Sequence, residues 1–264
     1  MRFTKMQGLG NDYLYIYGEV PAGVEDMCRR LSDRHFGAGS DGMIFITPSD
    51  RADFMMRIFN ADGSEAMMCG NGIRCVGKYL YDRGYTDKTR ITVDTLSGIK
   101  TLEMSVIGGK VRHVTVSMGT VSVSHDIPLI LRGMEFICTP VSVGNPHAVI
   151  FTEDTESIPV SDLGPLVEHN ILFPGGVNAE FITVTGENEL RMRVWERGSG
   201  ITLACGTGAC ASVTAAVTKG IFSYGIPISV DADGGRLEVT VLRNHEVLMT
   251  GPAETVFEGE TDLF

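Results

Sequence analysis

The sequence predicts an α+β fold built from two similar halves. Short segments rich in β-branched and aromatic residues are numerous, whereas only three segments have the periodicity of a helix. Groups of residues in the first part of the chain recur in the same order in the second part. The length of 264 residues is about 1.8 times a nominal domain of about 150 residues. These three observations favour two domains of one type.

The predicted elements follow from local composition and periodicity. Strands are predicted at 43–46, 54–59, 90–95, 111–117, 189–195, 226–231 and 236–242. Helices are predicted at 24–35, 69–83 and 205–219. The last two helices begin at one motif, a cysteine followed by a glycine-rich stretch, and this motif anchors the repeat.

The repeat is most evident around two cysteines. Cys69-Gly70-Asn71-Gly72 recurs 136 residues later as Cys205-Gly206-Thr207-Gly208, and Gly10-Asn11 recurs as Gly144-Asn145 at an offset of 134. Further matches lie between Gly42 and Asn178, Phe59-Asn60 and Trp195-Glu196, and Thr92-Val93-Asp94 and Ser229-Val230-Asp231. We therefore predict an N-terminal half, 1–126, carrying Cys69, and a C-terminal half, 127–264, carrying Cys205. A ligand site is expected in the cleft between two such pseudo-symmetric domains.

Composition and charge narrow the class of protein. The content of 43% hydrophobic and 21% charged residues is typical of a soluble globular protein. A net charge of −11 argues against nucleic acid or an anionic membrane as a partner. No apolar run reaches about 18 residues, so no spanning helix is expected. The first residues, MRFTKMQGLGNDY, have no apolar core, so we expect no signal peptide. Six cysteines are too few for a disulfide scaffold, so we expect a reduced cytoplasmic protein. A homodimer is left open, and the small-molecule partner follows from the paired motifs and the resemblance described below.

A cysteine at the start of a helix suggests acid–base chemistry. The first N–H groups of a helix and the positive end of its dipole stabilise a thiolate, and the same groups bind carboxylates. Two opposed thiols could remove a proton from Cα of one substrate and return one to the other face, without a cofactor. Two other interpretations of Cys69 and Cys205 remain open, namely buried packing residues and a reversible disulfide.

Three other patterns could suggest a metal or nucleotide site, but none has the residues that such a site needs. Cys75 and Cys210 follow the motif cysteines without CxxC pairs or nearby histidines, so no metal site is predicted, and with Cys28 and Cys138 they are interpreted as packing residues. The segment 37–42 fits the GxGxxG pattern of dinucleotide-binding sites. That pattern normally follows a strand and opens a helix, whereas this segment precedes a strand. The segment 72–78 resembles a P-loop but lacks the Ser or Thr that contacts magnesium. Neither is interpreted as a nucleotide site.

Five segments together point to one protein family more specifically than any single motif does. They are KMQGLGNDY (5–13), FNADGSEAMMCGNGIRC (59–75), GNPH (144–147), VNAEF (177–181) and WERGSGITLACGTGACA (195–211). In combination they resemble the diaminopimelate epimerase family across essentially the whole chain. The resemblance implies two α/β domains, each a mostly antiparallel barrel-like sheet around a central helix. It also implies cofactor-independent interconversion of LL- and meso-diaminopimelate in lysine and peptidoglycan synthesis.

The resemblance assigns roles to individual residues. Cys69 and Cys205 would be the catalytic acid–base pair, with His147 and Glu196 supporting the thiols. The residues implied in substrate binding are Asn11, Asn60, Gly70, Asn71, Asn145, Asn178, Glu196, Arg197, Gly206 and Thr207. Two positions depart from the family pattern: Gly42 stands where some members have Gln, and Ile201 replaces a Glu.

Two other functions are weighed against this one. The first is a racemase of the same superfamily acting on another amino acid, such as histidine or proline. The second is a binding protein in which the two cysteines form a thiol redox switch. Arg197 and the asparagines favour a substrate with a second charged end.

Overall fold

The computed structural model describes residues 1–262. In its first part the elements are β1 (Arg2–Gly8), β2 (Asn11–Tyr17), α1 (Val24–Leu31), β3 (Gly42–Pro48), β4 (Phe54–Asn60), β5 (Glu65–Ala66), α2 (Gly70–Asp82), β6 (Arg90–Thr95), β7 (Gly98–Ile107) and β8 (Lys110–Thr120). The remaining elements are β9 (Ser122–Val123), β10 (Ile127–Leu131), β11 (Met134–Ser142), β12 (Pro146–Phe151), a 3₁₀ turn (Thr155–Ser157), α3 (Val160–Glu168), β13 (Asn178–Gly186), β14 (Glu189–Glu196), β15 (Gly200–Ile201), α4 (Gly206–Thr218), β16 (Ile228–Ala232), β17 (Gly235–Val241), β18 (Glu246–Pro252) and β19 (Glu254–Glu260).

The chain divides into two compact units. Unit 1 comprises Met1–Val116 and the C-terminal segment from Gly251, whereas unit 2 comprises Ser117–Thr250. These units begin and end differently from the halves 1–126 and 127–264, because β19 pairs with β1 and so joins the first unit. The predicted halves describe the sequence repeat, and that division stays a prediction.

Unit 1 is one mixed sheet with a helix on each face. Its strands lie in the order β19, β1, β2, β3, β4, β6, β7 and β8, with β5 beside β4. Among the described strand pairs of unit 1, only β2–β3 and β4–β6 are parallel. The buried helix α2 contacts β1, β2 and β7, so the sheet curves around it, while α1 packs on the opposite face.

The strand β3 shows why its sequence is apolar throughout. Met43 and Phe45 pack with α1, and Ile44 between them points to the other face, next to Gly72 of α2. A strand covered by helices on both faces needs apolar residues at odd and even positions alike. The run Met43–Ile46 therefore reflects burial on two sides.

Unit 2 repeats this architecture. Its strands lie in the order β10, β11, β12, β13, β14, β16, β17 and β18, with β9 beside β11 and β15 beside β14. The parallel pairs are again the equivalent ones, β12–β13 and β14–β16. The helix α4 is buried against β11, β12, β13 and β17, and α3 covers the other face.

The predicted α+β class is confirmed, and the curved sheets are open. The three predicted helices are present, although α1 ends at Leu31, before the predicted residue 35. The helix α3 was not predicted, because its Gly164-Pro165 pair is typical of a turn. Glycine is required at position 164 despite its low helix propensity, because a Cβ there would lie 2.5 Å from the Trp195 side chain. None of the helices within residues 1–262 combines the length and the hydrophobicity that a membrane-spanning helix needs.

We predict that Gly42→Ala destabilises unit 1 through a steric clash. Gly42 has φ +155°, and a Cβ there would lie 2.1 Å from the carbonyl oxygen of Phe59 on the paired strand. The matched control is Gly18→Ala, because Gly18 has φ +158° and open space around its Cβ position. Urea unfolding should show that Gly42→Ala loses about 1–3 kcal/mol more than Gly18→Ala. Equal losses would show that backbone conformation alone sets the cost.

Candidate active site

In unit 1, Cys69 is the N-cap residue of α2. Its backbone is extended, and its Sγ accepts a hydrogen bond from the Gly72 N–H at 3.3 Å. A Cβ at Gly72 would lie 2.9 Å from Ile44 Cδ1, so the glycine lets the helix begin close to β3. The N–H groups of Gly70 and Asn71 belong to the first turn, where no intrahelical carbonyl is available and anions bind.

The Cys69 thiol contacts a short hydrogen-bonded chain. Its Sγ donates to Asn11 Oδ1 at 3.2 Å, and Asn11 Nδ2 donates to Asp41 Oδ2 at 2.7 Å. Because a carboxylate can only accept, Asp41 fixes the amide of Asn11 with its oxygen toward the sulfur. Arg34 donates to Asp41 at 2.9 Å and holds this carboxylate in turn. Asp41 therefore orients a predicted site residue, and the sequence analysis did not identify it.

Two more residues of unit 1 are relevant to the site: Asn60, which the sequence analysis predicted, and Tyr13, which it did not. Tyr13 is buried near Cys69, and burial together with the nearby Cys69 and Asp41 raises the pKa of its hydroxyl well above the ordinary value. Asn60, at the end of β4, is half-buried and donates from Nδ2 to Ser64 Oγ at 3.1 Å. Asn60 is therefore held at the strand end that leads toward α2.

In unit 2, Cys205 is the N-cap residue of α4. Its Sγ accepts from the Gly208 N–H at 3.3 Å and lies 3.4 Å from Thr207 Oγ1. The residue is only 5% exposed. Burial raises the pKa of the Cys205 thiol well above its ordinary value, and the carboxylates of Glu196 and Glu180 raise it further. The hydrogen bonds from Thr207 and Gly208 act in the opposite direction.

Glu196, at the end of β14, is the carboxylate beside Cys205. It accepts a short hydrogen bond from the Thr202 hydroxyl. Burial raises the pKa of Glu196, while hydrogen bonds from Thr202 and Cys205 lower it. The structure thus brings together the predicted residues Glu196 and Cys205.

A second chain of polar groups leads to Thr207, beside Cys205. His147 Nδ1 lies 2.7 Å from Glu180 Oε1, and its Nε2 lies 3.0 Å from Asn145 Oδ1. Asn145 Nδ2 donates to Thr207 Oγ1 at 3.3 Å. The predicted residues His147, Asn145 and Thr207 are therefore consecutive members of one network, and Glu180 is a member that the sequence analysis missed.

Arg197 and Asn178 form a separate group in unit 2. Asn178 Oδ1 accepts from the Arg197 backbone N–H at 2.9 Å, and Asn178 Nδ2 donates to Pro146 O at 3.0 Å. Arg197 is exposed, and its Nη1 donates to Gly175 O at 3.0 Å. Asn178 thus holds the backbone of Arg197, whose guanidinium suits a carboxylate ligand.

The other four cysteines are buried, and none of the six, all within residues 1–262, forms a disulfide. Burial raises the pKa of Cys28 and of Cys138 to about 12 and that of Cys75 to about 11. Such thiols are poor nucleophiles at neutral pH. In the described part of the chain, no group of three or more His, Cys, Asp or Glu residues could hold a metal ion.

Comparison with known proteins decides the family. The family model for diaminopimelate epimerase matches residues 3–124 and 139–256. The chain belongs to the diaminopimelate epimerase family. A diaminopimelate epimerase of Acetivibrio thermocellus is 50% identical over 278 residues, covering 100% of this chain and 99% of that protein. One from Bacteroides thetaiotaomicron is 50% identical over 270 residues, covering 99% and 98%.

Solved structures agree on the fold at much lower identity. A probable proline racemase from Agrobacterium radiobacter has a TM-score of 0.78 at 16% identity, covering 100% of this chain and 93% of that one. A Bacillus anthracis phenazine biosynthesis protein of the PhzF family has a TM-score of 0.79 at 16% identity, covering 99% and 98%. The two-domain α+β fold is therefore shared beyond the diaminopimelate epimerase family.

The structure shows what surrounds Gly42 and Ile201, the two positions at which the sequence analysis noted a departure from the diaminopimelate epimerase pattern. Gly42 begins β3, where a side chain would collide with the carbonyl oxygen of Phe59. Ile201 lies in β15, pairs with Trp195 and is exposed. The contacts described above for Cys205 come from other residues, so none of them depends on position 201.

The sequence contains signals that would have identified the two missed carboxylates. Glu180 lies in a strand whose neighbours Ala179 and Phe181 are buried and apolar, and the repeat places Ile44 at the equivalent position. A charged residue where the other copy has isoleucine indicates a function specific to one half. Asp41 precedes Gly42 inside the GxGxxG-like segment, and a carboxylate directly before the start of a strand is the signal that points to it.

We predict that Asp41→Asn makes Cys69 more reactive toward iodoacetamide. An asparagine at 41 no longer dictates the orientation of the Asn11 amide, which can then turn an N–H toward the sulfur and stabilise the thiolate. Loss of the Asp41 charge acts in the same direction. Peptide mass spectrometry at pH 7 should show alkylation of Cys69 about three- to tenfold faster.

The control for this change is Asp162→Asn. Asp162 is an exposed carboxylate on α3 paired with Arg132 at 3.1 Å, in unit 2. It should leave Cys69 alkylation unchanged. An unchanged rate in Asp41→Asn as well would refute the orienting role of Asp41.

Proposed function

We propose that this protein interconverts LL- and meso-diaminopimelate, with Cys69 and Cys205 as its two acid–base groups. One observation supports the proposal above all others. Each unit places a cysteine at the N-cap of its buried helix, with the sulfur accepting from the N–H three residues on. Membership of the diaminopimelate epimerase family supports the choice of substrate.

The proposed reaction needs only proton transfers. The thiolate of one cysteine takes the Cα proton, and the electron pair of the broken C–H bond delocalises into the adjacent carboxylate. The thiol of the other cysteine then delivers its proton to the opposite face of Cα. At the end the first cysteine is a thiol and the second a thiolate, so the reverse direction exchanges their roles. The proposal requires both sulfurs to reach the same Cα.

The helix N-termini would stabilise the charge that develops. First-turn N–H groups of α2 (Gly70, Asn71) and α4 (Gly206, Thr207) suit a carboxylate, and they become more favourable as negative charge accumulates on its oxygens. The raised pKa of Cys205 also has a catalytic consequence. Once formed, its thiolate is a strong base, as removal of a weakly acidic Cα proton requires.

Recognition of the distal end is assigned to the remaining polar residues. Arg197 would bind the distal carboxylate, with Asn178 placing its backbone. Asn11, Asn60 and Asn145 would contribute amide groups, and Glu196 an acceptor for the distal ammonium or the Cys205 proton. These assignments follow the family pattern and the exposed position of Arg197.

The setting follows from charge and thiol content. We propose a cytoplasmic location, since six cysteines outside disulfides suit a reducing compartment. The net charge of −11 disfavours nucleic acid and anionic membranes as partners. A homodimer is retained as a proposal that sedimentation would test.

Replacing either motif cysteine should stop the reaction. Cys69→Ala and Cys205→Ala should each lower kcat for epimerisation of LL-diaminopimelate by at least about 10²–10⁴-fold, because each removes an acid–base group. Chiral chromatography of the product measures this. The control is Cys28→Ala, a buried thiol in α1 outside the proposed site, which should keep activity within about twofold. Near-normal turnover in either motif variant would rule out the two-thiol mechanism.

The substrate assignment has its own test. Wild-type protein should epimerise LL-diaminopimelate and leave L-histidine and L-proline unchanged, as chiral analysis of each mixture would show. Racemisation of either amino acid in preference to diaminopimelate would favour the related racemase. A stable disulfide at cytosolic potential without any Cα exchange would favour a redox switch.

A further inference from the structure

The two cysteines have different surroundings although their scaffolds are equivalent. In unit 1 the residue beneath the first turn of α2 is Ile44, whose Cδ1 would lie 2.9 Å from a Cβ at Gly72. In unit 2 the equivalent residue is Glu180, whose Oε1 would lie 2.7 Å from a Cβ at Gly208. A carboxylate thus replaces an isoleucine at one position of the repeat.

The neighbouring strand differs in the same way. The repeat that aligns Asn145 with Asn11 also aligns His147 with Tyr13. Both side chains of the pair His147–Glu180 are completely buried, and their closest atoms are 2.7 Å apart. Unit 2 therefore contains an ionisable pair next to its cysteine, where unit 1 has a tyrosine and an isoleucine.

Burial of this pair is costly and needs an explanation. Glu180 Oε1 contacts His147, whereas Oε2 is buried without a hydrogen bond to any of residues 1–262. A half-satisfied carboxylate in the core is a poor source of stability, because desolvation offsets much of the attraction. An apolar residue packs at the equivalent place in unit 1, so the fold itself does not require the carboxylate.

The directions of the hydrogen bonds connect this pair to the sulfur. His147 Nδ1 lies 2.7 Å from Glu180 Oε1, and Nε2 lies 3.0 Å from Asn145 Oδ1. An ionised carboxylate and an amide oxygen only accept hydrogen bonds, so this arrangement requires a donor at each ring nitrogen. Asn145 then presents its Nδ2–H to Thr207 Oγ1, which leaves the Thr207 hydroxyl proton available for Cys205 Sγ. Both ring nitrogens must carry a proton for this order to hold.

We propose that Glu180 is a positioning residue that, through His147, Asn145 and Thr207, directs a hydroxyl hydrogen bond onto the sulfur of Cys205. Its negative charge balances the doubly protonated ring of His147. With that ring in place, the chain stabilises the thiolate of Cys205 each time this cysteine gives up its proton. The inference rests on the proposed function in taking Cys205 as an acid–base group.

Replacing Glu180 with glutamine distinguishes this role from a simple effect of charge. The glutamine oxygen still accepts from Nδ1–H but cannot balance a charged ring, so Nε2 loses its proton. Asn145 then turns its Nδ2 toward Nε2, and Thr207 donates to Asn145 Oδ1 instead of to the sulfur. Loss of this donor makes the thiolate harder to form. Direct removal of the Glu180 charge would instead make it easier.

The measurement is the pH dependence of Cys205 alkylation by iodoacetamide, followed by peptide mass spectrometry. In Glu180→Gln the midpoint should rise by about 0.5–1 pH unit. Cys69 in the same digest is the internal control and should keep its midpoint. Glu156→Gln, which removes an exposed carboxylate paired with Arg191, should leave both midpoints unchanged. A lower or unmoved Cys205 midpoint in Glu180→Gln would overturn the proposal.

A second variant tests the chain at its other end. Thr207→Val removes the hydroxyl at nearly constant size and should raise the Cys205 midpoint by a similar amount. In the double variant with Glu180→Gln and Thr207→Val, the Cys205 midpoint should rise no further than in the single variant with the larger shift. Both changes break the same hydrogen-bonded connection, so their effects should not add. Additive shifts would show two independent effects and contradict the inference. Glu196 on β14 and Cys138 on β11 are the other titratable groups near this series of hydrogen bonds. Neither residue is substituted in any of the variants.

Spectroscopy of the histidine gives a readout that does not depend on the thiol. In wild-type protein at pH 7, ¹⁵N NMR should show protons on both ring nitrogens of His147, and in Glu180→Gln on Nδ1 alone. A ring with one proton in the wild type would overturn the proposal even if Glu180→Gln fails to fold. None of these readouts uses turnover, whereas the proposed function fails on the absence of Cα epimerisation.

Discussion

The structure depends on a cysteine at the start of a buried helix, with a glycine three residues later. The sulfur accepts the N–H of that glycine, and the missing side chain lets the helix begin directly against a central strand of the sheet. The first turn then presents N–H groups and the positive end of the helix dipole beside the thiol. Each sheet curves around its helix, and this arrangement is built in both units.

Duplication supplies two thiols, but their surroundings have diverged. Cys69 donates to an amide oxygen held in place by Asp41, whereas Cys205 lies among Glu196, Thr207 and the chain that leads to Glu180. An epimerase needs one group able to release a proton while the other accepts one. In the proposed mechanism, different electrostatic surroundings on an otherwise equivalent scaffold would provide this division without altering the backbone.

Much of this was predictable from the sequence, for specific physical reasons. The Cys-Gly-x-Gly motif predicted both helix starts, since glycine and a capping side chain have strong local preferences. The helix α3 was missed because packing against Trp195 selects glycine at position 164, although glycine has a low helix propensity. Strands such as β12 and β13 were missed because polar side chains, among them His147 and Glu180, interrupt the apolar pattern. Those same polar residues belong to the candidate site, so local patterns were least informative where function imposes its own choice of residue.

The central claim is that two different thiols handle the proton on the two faces of one carbon. The direct measurement is epimerisation of LL-diaminopimelate in D₂O, with deuterium at Cα followed separately in product and in remaining substrate. The two-thiol account predicts that early product carries solvent deuterium while the remaining substrate keeps its protium. Product that retains the original proton, or substrate that gains deuterium as fast as product does, would contradict it.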